Sequence, residues 1–506
     1  MTLARTPPTQ SGGRLGIPGA AWICALVALL VATGWSLIVP LFQVPDEPGH
    51  VAYAQYVAEA GKPPTGSSDL HPYSQEERRL LDALRWKLVI RRPDNRPPAT
   101  GSAEQRLDRI DDAPADRLGE GGFTTITNNP PLYYAVAAGA YRLSPSASLA
   151  DRIHLMRLVS ALLAAITVLL TFLFLRELLP AAPWAWTVGA LAVAFQPMFG
   201  FISGGVNSDD LLYAASAGVF LGLAAAFRRG LTPGWGLWIG ACAATGTLAK
   251  INMVGLLPGI VVGLIFLVIG ADSTARRNAV RGALAAAVVA GGAVLVYAIL
   301  NSTVWDRGLF FGAGEHPLGS GEGTQGLADI TDEPTRSIGG ALNYAWQFYL
   351  PRLPFMDAQF VYYPLGEIWF NGFIGSFGWL EFGFATWVYD LALWIVIAVV
   401  ALAGRELIVH RARVRGRLPE LISYATLMVG LLVLVNGNGY IARIDGEGGF
   451  EQARYLLPLL PLYGAIVALA ARGAGRYGPA VGVLLISIAI AHSAVAMLLA
   501  LTRYFG

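Results

Sequence analysis

Val44-Pro45-Asp46-Glu47-Pro48-Gly49-His50-Val51-Ala52-Tyr53 follows directly on the first long apolar run of the chain, residues 20 to 41. Two carboxylates and an imidazole therefore stand where a membrane helix ends and water begins. Pro45 and Pro48 cannot continue a helix and stiffen the backbone, so the acidic side chains are expected in a fixed turn. A solvated turn that merely ended a helix would need neither His50 nor paired acids, and the stretch reads as a reaction centre.

The rest of the chain supports a membrane setting. It has 506 residues, is 55% hydrophobic and only 14% charged, and has a mean hydropathy of +0.52. Soluble globules carry charge on about a quarter of their residues. Apolar stretches of about twenty residues, the length that crosses a hydrocarbon core, recur from residue 20 onward. Beyond the first run they fall near 154–175, 184–202, 210–227, 235–249, 252–269, 280–300, 381–403, 420–436, 453–471 and 479–501, about eleven crossings in all. The expected class is an all-α polytopic membrane protein. A net charge of +2 gives no reason to expect a nucleic-acid partner, and Cys24 and Cys242 both lie inside apolar stretches, where neither a disulfide nor a zinc site is expected.

Between the crossings the organisation is simple. Residues 1–18 read as a disordered cytoplasmic tail and 19–41 as a retained signal-anchor helix. The polar region 42–153 is far longer than an ordinary connection and is expected to carry function. Within it Leu80, Leu81, Leu84 and Leu88 share one face of a helix whose other face carries Glu76, Glu77, Arg78, Arg85 and Lys87, the pattern of a helix lying on the membrane surface. A second helix is expected from Asn129-Pro130-Pro131 to about Tyr141. Spans two to seven occupy 154–300, a Gly-rich outer loop 301–380, and the remaining four spans 381–506. His71 reads as solvated, and His316 in the Gly-rich loop as a weak candidate to approach a substrate.

Basic residues set the orientation. With the N-terminus cytoplasmic, Arg228, Arg229, Arg276, Arg277, Arg281, Arg405, Arg411, Arg413, Arg415, Arg417, Arg472 and Arg476 all fall inside, as the positive-inside bias requires. The region 42–153, the turn 203–209, the loop 301–380, the loop 437–452 and the C-terminus then share the outer face.

That bias leaves a small set of charged residues unexplained, and they converge on the outer side: Asp46, Glu47 and His50, then Asp209 and Asp210 beside Asn207, then Lys250 and Arg454. Lys250, one of three lysines in the chain, also reads as a snorkelling anchor. Acids and cations at one water-facing edge suit a reaction in which a hydroxyl loses a proton to a carboxylate base while a phosphate, held by Lys and Arg, departs. Secondary transport would instead favour ionisable groups near mid-bilayer and a repeat relating two halves, and no such repeat is evident.

Asp46-Glu47 after the first span, Tyr53, the segment Asn129-Pro130-Pro131-Leu132-Tyr133-Tyr134, and Glu451-Gln452-Ala453-Arg454-Tyr455-Leu456-Leu457-Pro458 together resemble the GT-C superfamily of integral-membrane glycosyltransferases. Within it, the Asp-Glu-Pro-x-His form and the turn Val206-Asn207-Ser208-Asp209 look most like the bacterial DUF2142 group of predicted membrane proteins. The resemblance runs from about residue 20 to 470. It implies an inverting transfer of one sugar from a polyprenyl-phosphate carrier to an envelope glycan or lipid acceptor, at the extracytoplasmic face of a bacterial plasma membrane.

By the same resemblance Asp46 takes the place of the catalytic base, Glu47 orients it or helps to bind a cation or the acceptor, and Asp209 matches the second acidic position. Lys250 and Arg454 are the candidates for the donor phosphate, and His50, Asn129, Tyr133, Asn207, Asp210 and Tyr455 for substrate contact. No metal is required; were one bound, Asp46, Glu47 and Asp209 would offer hard oxygen ligands favouring magnesium or manganese. The departure from the superfamily is the lack of a long hydrophilic C-terminal domain. A transporter or flippase of lipid-linked sugars is the runner-up, and an envelope-polymer ligase or polymerase a third class.

Overall fold

Helices built from these apolar stretches end where prolines, glycines or capping side chains satisfy their open backbone groups. The computed structural model describes residues 16–65, 72–110, 115–310, 337–359, 365–444 and 451–506, so His71 and His316 lie outside the described residues. Helix α1 (Gly19–Ile38) stops just before Pro40. Helix α2 (Glu47–Ala60) opens on Asp46, whose φ of 64° turns the chain sharply, and closes on Gly61, whose φ of 71° suits a residue without a Cβ.

The polar region folds as short helices: α3 (Gln75–Ala83), α4 (Trp86–Val89), α5 (Thr100–Ile110), α6 (Thr124–Thr127) and α7 (Leu132–Tyr141). Ser74 caps α3 by accepting the Glu77 backbone N–H at 3.0 Å. The single surface helix expected from Leu80 to Leu88 is instead two, because Arg85 adopts a φ of 54° and breaks the run. Leu80, Leu81 and Leu84 are buried, whereas Leu88, beyond the break, is exposed. Glu77, expected on the polar face, is buried as well.

The next helices are α8 (Leu149–Leu178), α9 (Pro183–Ala194), α10 (Pro197–Ser203), α11 (Asp209–Arg229), α12 (Pro233–Ala249), α13 (Leu257–Ile269, preceded by a 3-10 turn from Ile251 to Leu256) and α14 (Arg276–Thr303). Helices α9 and α10 meet at a 59° bend. There Gln196 caps α10 by accepting the Phe199 N–H at 2.5 Å, and Pro197 removes a donor. The remainder comprises α15 (Ile338–Tyr349), α16 (Leu365–Gly375), a minimal hairpin of β1 (Ser376–Phe377) and β2 (Phe382–Gly383), α17 (Thr386–Val409), α18 (Arg411–Arg415), α19 (Leu418–Ile444), a 3-10 turn from Ala453 to Leu459, α20 (Leu460–Gly473) and α21 (Gly478–Phe505).

Among the described residues nine helices are long and apolar enough to cross a membrane, and the bent pair α9–α10 brings the number to ten. The expected crossing at 235–249 is α12, a helix of 17 residues. Helix α19 does not end at residue 436 as expected but runs through Asn436-Gly437-Asn438-Gly439 to Ile444. A Cβ at Gly439 would lie 2.7 Å from the Tyr344 hydroxyl, so glycine here serves close packing against α15 rather than a turn. A similar close approach joins α12 to α14, where a Cβ on Gly236 would fall 1.9 Å from the Gly282 carbonyl oxygen.

Polar contacts show which helix ends lie together. At one end Glu177 of α8 binds Arg228 at 3.0 Å and also Arg229, Arg417 donates to the Leu178 carbonyl at 2.7 Å, and Arg472 meets Glu406 at 2.9 Å. At the other, Arg503 near the end of α21 donates to the Asn95 carbonyl at 2.6 Å and to Glu381 at 3.1 Å. The tips of α1, α8, α11, α12 and α20 that bear the candidate residues belong to this second end.

Candidate functional site

The site is built around a knot below the turn that carries Asp46. Arg157, inside the apolar helix α8, is fully buried and uses all its donors: Nε and Nη2 reach Glu47 at 2.7 Å each, Nη1 reaches the Ser36 and Val39 carbonyls at 2.8 Å, and Nη2 also reaches the Pro40 carbonyl at 3.0 Å. Glu47 in turn accepts the Phe42 N–H at 2.7 Å and the Val206 N–H at 3.0 Å. One ion pair thus closes the C-terminal end of α1, starts α2 and ties both to α8 and to the turn before α11.

Above the knot four charged side chains alternate in sign. Asp46 pairs with Arg454 through Oδ2, the Arg454 Nε lies 3.8 Å from Asp209 Oδ2, and Asp209 Oδ1 receives Lys250 Nζ at 2.6 Å. The Asp46 side chain is 33% exposed, against 2% for Asp209, 3% for Arg454 and 11% for Lys250, so Asp46 is the member that water and a soluble partner reach. Burial pushes its carboxyl up, but the Arg454 guanidinium, with smaller contributions from His50 and Lys250, more than reverses this and holds it below the ordinary carboxylate value. The Tyr455 ring lies under both cations, with Arg454 Cζ 5.4 Å and Lys250 Nζ 5.8 Å from its centroid.

The neighbouring candidates divide between this chain of charges and its supports. Asn207 caps the start of α11 by accepting the Asp209 N–H at 3.0 Å. Asp210 is buried and accepts from Ser203 at 2.5 Å. Tyr133 accepts the Asn207 N–H at 2.9 Å and shares a 2.8 Å hydrogen bond with Ser160, so its hydroxyl props the turn. Its neighbour Tyr134 is the one that reaches the imidazole, 2.8 Å from His50 Nδ1, and Asn129 Nδ2 donates to the same phenol at 3.3 Å. Burial, then the charge of Lys250, push His50 down to about 3, so the ring is neutral at physiological pH.

Asp46, Glu47 and Asp209 are not assembled as a ligand set, and among the described residues no group of three or more His, Cys, Asp or Glu is placed to hold a metal. Glu47 is occupied by Arg157, while Asp46 and Asp209 already face cations, so the donor set does not fit magnesium or manganese.

Two residues escaped the sequence reading. Arg157 carried a signal, a guanidinium inside an apolar stretch, which is retained only when something uses it. Arg307, buried just past α14, donates to the Pro64 carbonyl at 2.9 Å, the Thr127 carbonyl at 2.7 Å and the Tyr53 hydroxyl at 3.2 Å, and a lone arginine entering a Gly-rich loop carries no comparable mark.

Fold and site define a multi-pass helical membrane protein with a buried ionic cluster at one end of its bundle. The profile of a family described as predicted membrane protein (DUF2142) matches residues 29–463, and the chain belongs to that family. No curated protein matches it. Among solved structures the chain is similar to ArnT from Cupriavidus metallidurans bound to undecaprenyl phosphate, at 14% identity and a TM-score of 0.48, covering 96% of this chain and 76% of that one. It is also similar to the same organism's ArnT in the apo state, at 14% identity and a TM-score of 0.46, covering 89% of this chain and 59% of that one. A third similarity is to the Archaeoglobus fulgidus oligosaccharyltransferase tethered with an acceptor peptide, at 12% identity and a TM-score of 0.39, covering 96% and 55%. The chain thus spans less than two thirds of the apo ArnT and oligosaccharyltransferase chains.

Proposed function

We propose that this protein is a membrane glycosyltransferase that moves a sugar from a polyprenyl-phosphate donor to a hydroxyl of an envelope glycan or lipid, with inversion, on the extracytoplasmic face of a bacterial plasma membrane. The observation that carries this reading is the alternating chain Asp46–Arg454–Asp209–Lys250, which joins an acid open to water with cations suited to a phosphate. The acceptor hydroxyl gives its proton to Asp46 as its oxygen bonds to the anomeric carbon. The bond from that carbon to the phosphate oxygen breaks, and the electron pair leaves with the polyprenyl phosphate, neutralised by Lys250 and Arg454. Asp209 stands beside both cations and holds them in place. Glu47 is a positioning residue that acts through Arg157 on the turn bearing Asp46.

Donor binding has a further effect on the base. A phosphate that draws on Arg454 weakens the contact holding Asp46 low, so its basicity rises once the donor is in place. The sign follows: in the free protein Asp46 stays ionised to below about 3.9, the value of a free aspartate, so the acid limb of kcat/KM lies below that of kcat.

The test compares envelope glycans by mass spectrometry in cells with the wild-type protein, without it, and with Asp46→Asn. One sugar residue is expected to disappear in the deletion strain, and the Asn variant is expected to lose at least about a hundredfold of transfer, the lower range for a missing general base. Wild-type glycans in the Asn strain end the base assignment, and unchanged glycans in the deletion strain end the enzymatic reading.

A further inference from the structure

His50 lies in the first turn of α2, four residues after Asp46, and its backbone N–H donates to the Asp46 carbonyl at 3.1 Å. The ring is buried, and its Nε2 has no hydrogen-bond partner among the described residues. The charged groups around it come from several elements: Asp46 at the start of α2, Asp209 of α11, Lys250 at the end of α12 and Arg454 before α20.

The bonds behind the ring run in one direction. Arg307 Nη1 donates to the Tyr53 hydroxyl at 3.2 Å, and that hydroxyl donates to the Asn129 carbonyl at 3.0 Å. The Tyr53 ring also lies flat against Tyr134, with centroids 3.7 Å apart and planes 11° from parallel. Asn129, fixed in this way, turns its amide Nδ2 to the Tyr134 oxygen at 3.3 Å. That oxygen accepts from Asn129 and lies 2.8 Å from His50 Nδ1, a contact in which the phenol donates when the ring carries its proton on Nε2. A neutral imidazole that accepts at Nδ1 carries its proton on Nε2.

We propose that Tyr134 holds His50 as the Nε2–H tautomer and that this N–H donates to a phosphate oxygen of the lipid carrier beside Lys250 and Arg454, an assignment that rests on the polyprenyl-phosphate reading above. A neutral donor suits the place. A third cation next to Lys250 and Arg454 would raise repulsion in the empty site, whereas an N–H without net charge fixes the orientation of the phosphate at no such cost. Tyr134 is then a positioning residue, acting through the tautomer.

The full chain, labelled with 15N-histidine and reconstituted in lipid nanodiscs, provides the test by solid-state NMR. His50 is assigned by the signal that disappears in His50→Gln. The expected result is a proton on Nε2, a shift of that resonance when undecaprenyl phosphate is added, and no equal shift with the same concentration of inorganic phosphate. Tyr134→Phe should give a mixture of tautomers. Affinity for undecaprenyl phosphate should fall about tenfold in His50→Leu, while His50→Gln, whose amide keeps an N–H near the Nε2 position, stays within about threefold of wild type. A proton on Nδ1, or a His50 signal that does not move although undecaprenyl phosphate binds, overturns the role given to His50. An equal response to inorganic phosphate overturns the lipid carrier as its source. Failure of the wild-type protein to bind undecaprenyl phosphate at all counts against the glycosyltransferase reading instead.

Discussion

Glu47 and Glu77 are both fully buried carboxylates of the outer region, and they meet opposite surroundings. Glu47 has a guanidinium and two backbone N–H donors, whereas neither oxygen of Glu77 has a hydrogen-bond partner among the described residues. Burial, with the neighbouring charge of Glu76, pushes the Glu77 carboxyl well above the ordinary value. The folded state therefore keeps a proton there that the unfolded chain gives up above about 4.3, and stability falls as pH rises from that value toward the folded one. Glu77→Gln, which removes the need for that proton, should raise the melting temperature at pH 7 and leave it unchanged near pH 4. A melting temperature lowered equally at both pH values would mean that Glu77 is held by a contact specific to the carboxyl. Sequence alone put Glu77 on a wet helix face because it is charged, yet its spacing of three, four and seven residues to Leu80, Leu81 and Leu84 places it on the buried face of α3. Tyr133 and Tyr134 take different parts, Tyr133 bonding the turn before α11 and Tyr134 the His50 ring: adjacent aromatics differ only in helix phase, and a helix of ten residues gives little periodicity from which to read it.

Among the elements, α2 was not legible as a helix: Pro48, expected to stiffen a turn, sits in its first turn, where proline is tolerated, and of the two acids only Asp46 lies in the turn itself. The ends of α11, α12 and the turn before α20, by contrast, each bear charge that topology does not explain. What was hidden is the tie between them. Arg157 sits one turn into the stretch first read as span two, and its partner Glu47 is 110 residues away, a distance that no local pattern bridges. Breaking a buried ion pair by removing one partner leaves the other charge uncompensated and costs about 3–5 kcal/mol. Arg157→Met and Glu47→Gln should each lower stability by about that amount, measured by thermal unfolding in detergent. The double variant should lose clearly less than the sum, since the two share one interaction. Additive losses would show that the two side chains do not act as a pair.

For the whole molecule, apolarity of the chain makes the membrane class plain, and the uneven distribution of arginines marks one end of the bundle. Those arginines gather at the end where Arg228 and Arg229 bind Glu177, away from the ionic cluster. The positive-inside bias then predicts that Ser102 faces the outside and Ala412 the cytoplasm. With Cys24 and Cys242 replaced by Ala, Ser102→Cys should react with an impermeant maleimide in intact cells, and Ala412→Cys only after the membrane is opened. The reverse pattern would put the cluster on the cytoplasmic side. The number of crossings was less legible, because α12 is a residue or two short of a comfortable span and α9 and α10 divide one stretch by a bend.

The pairing of Asp46 with Arg454 joins positions 408 residues apart. At the pace of translation, about 5–20 residues per second, an interval of roughly 20 to 80 s separates their synthesis. For the first 110 residues of that interval Glu47 also lacks Arg157; once Arg157 is made the knot has both partners, while Asp46 still has no Arg454. A chain that stops short of Arg454 therefore leaves Asp46 without its guanidinium, and Glu406 and Glu381 without Arg472 and Arg503, so the stretch from Arg454 onward completes the charge balance of everything made before it.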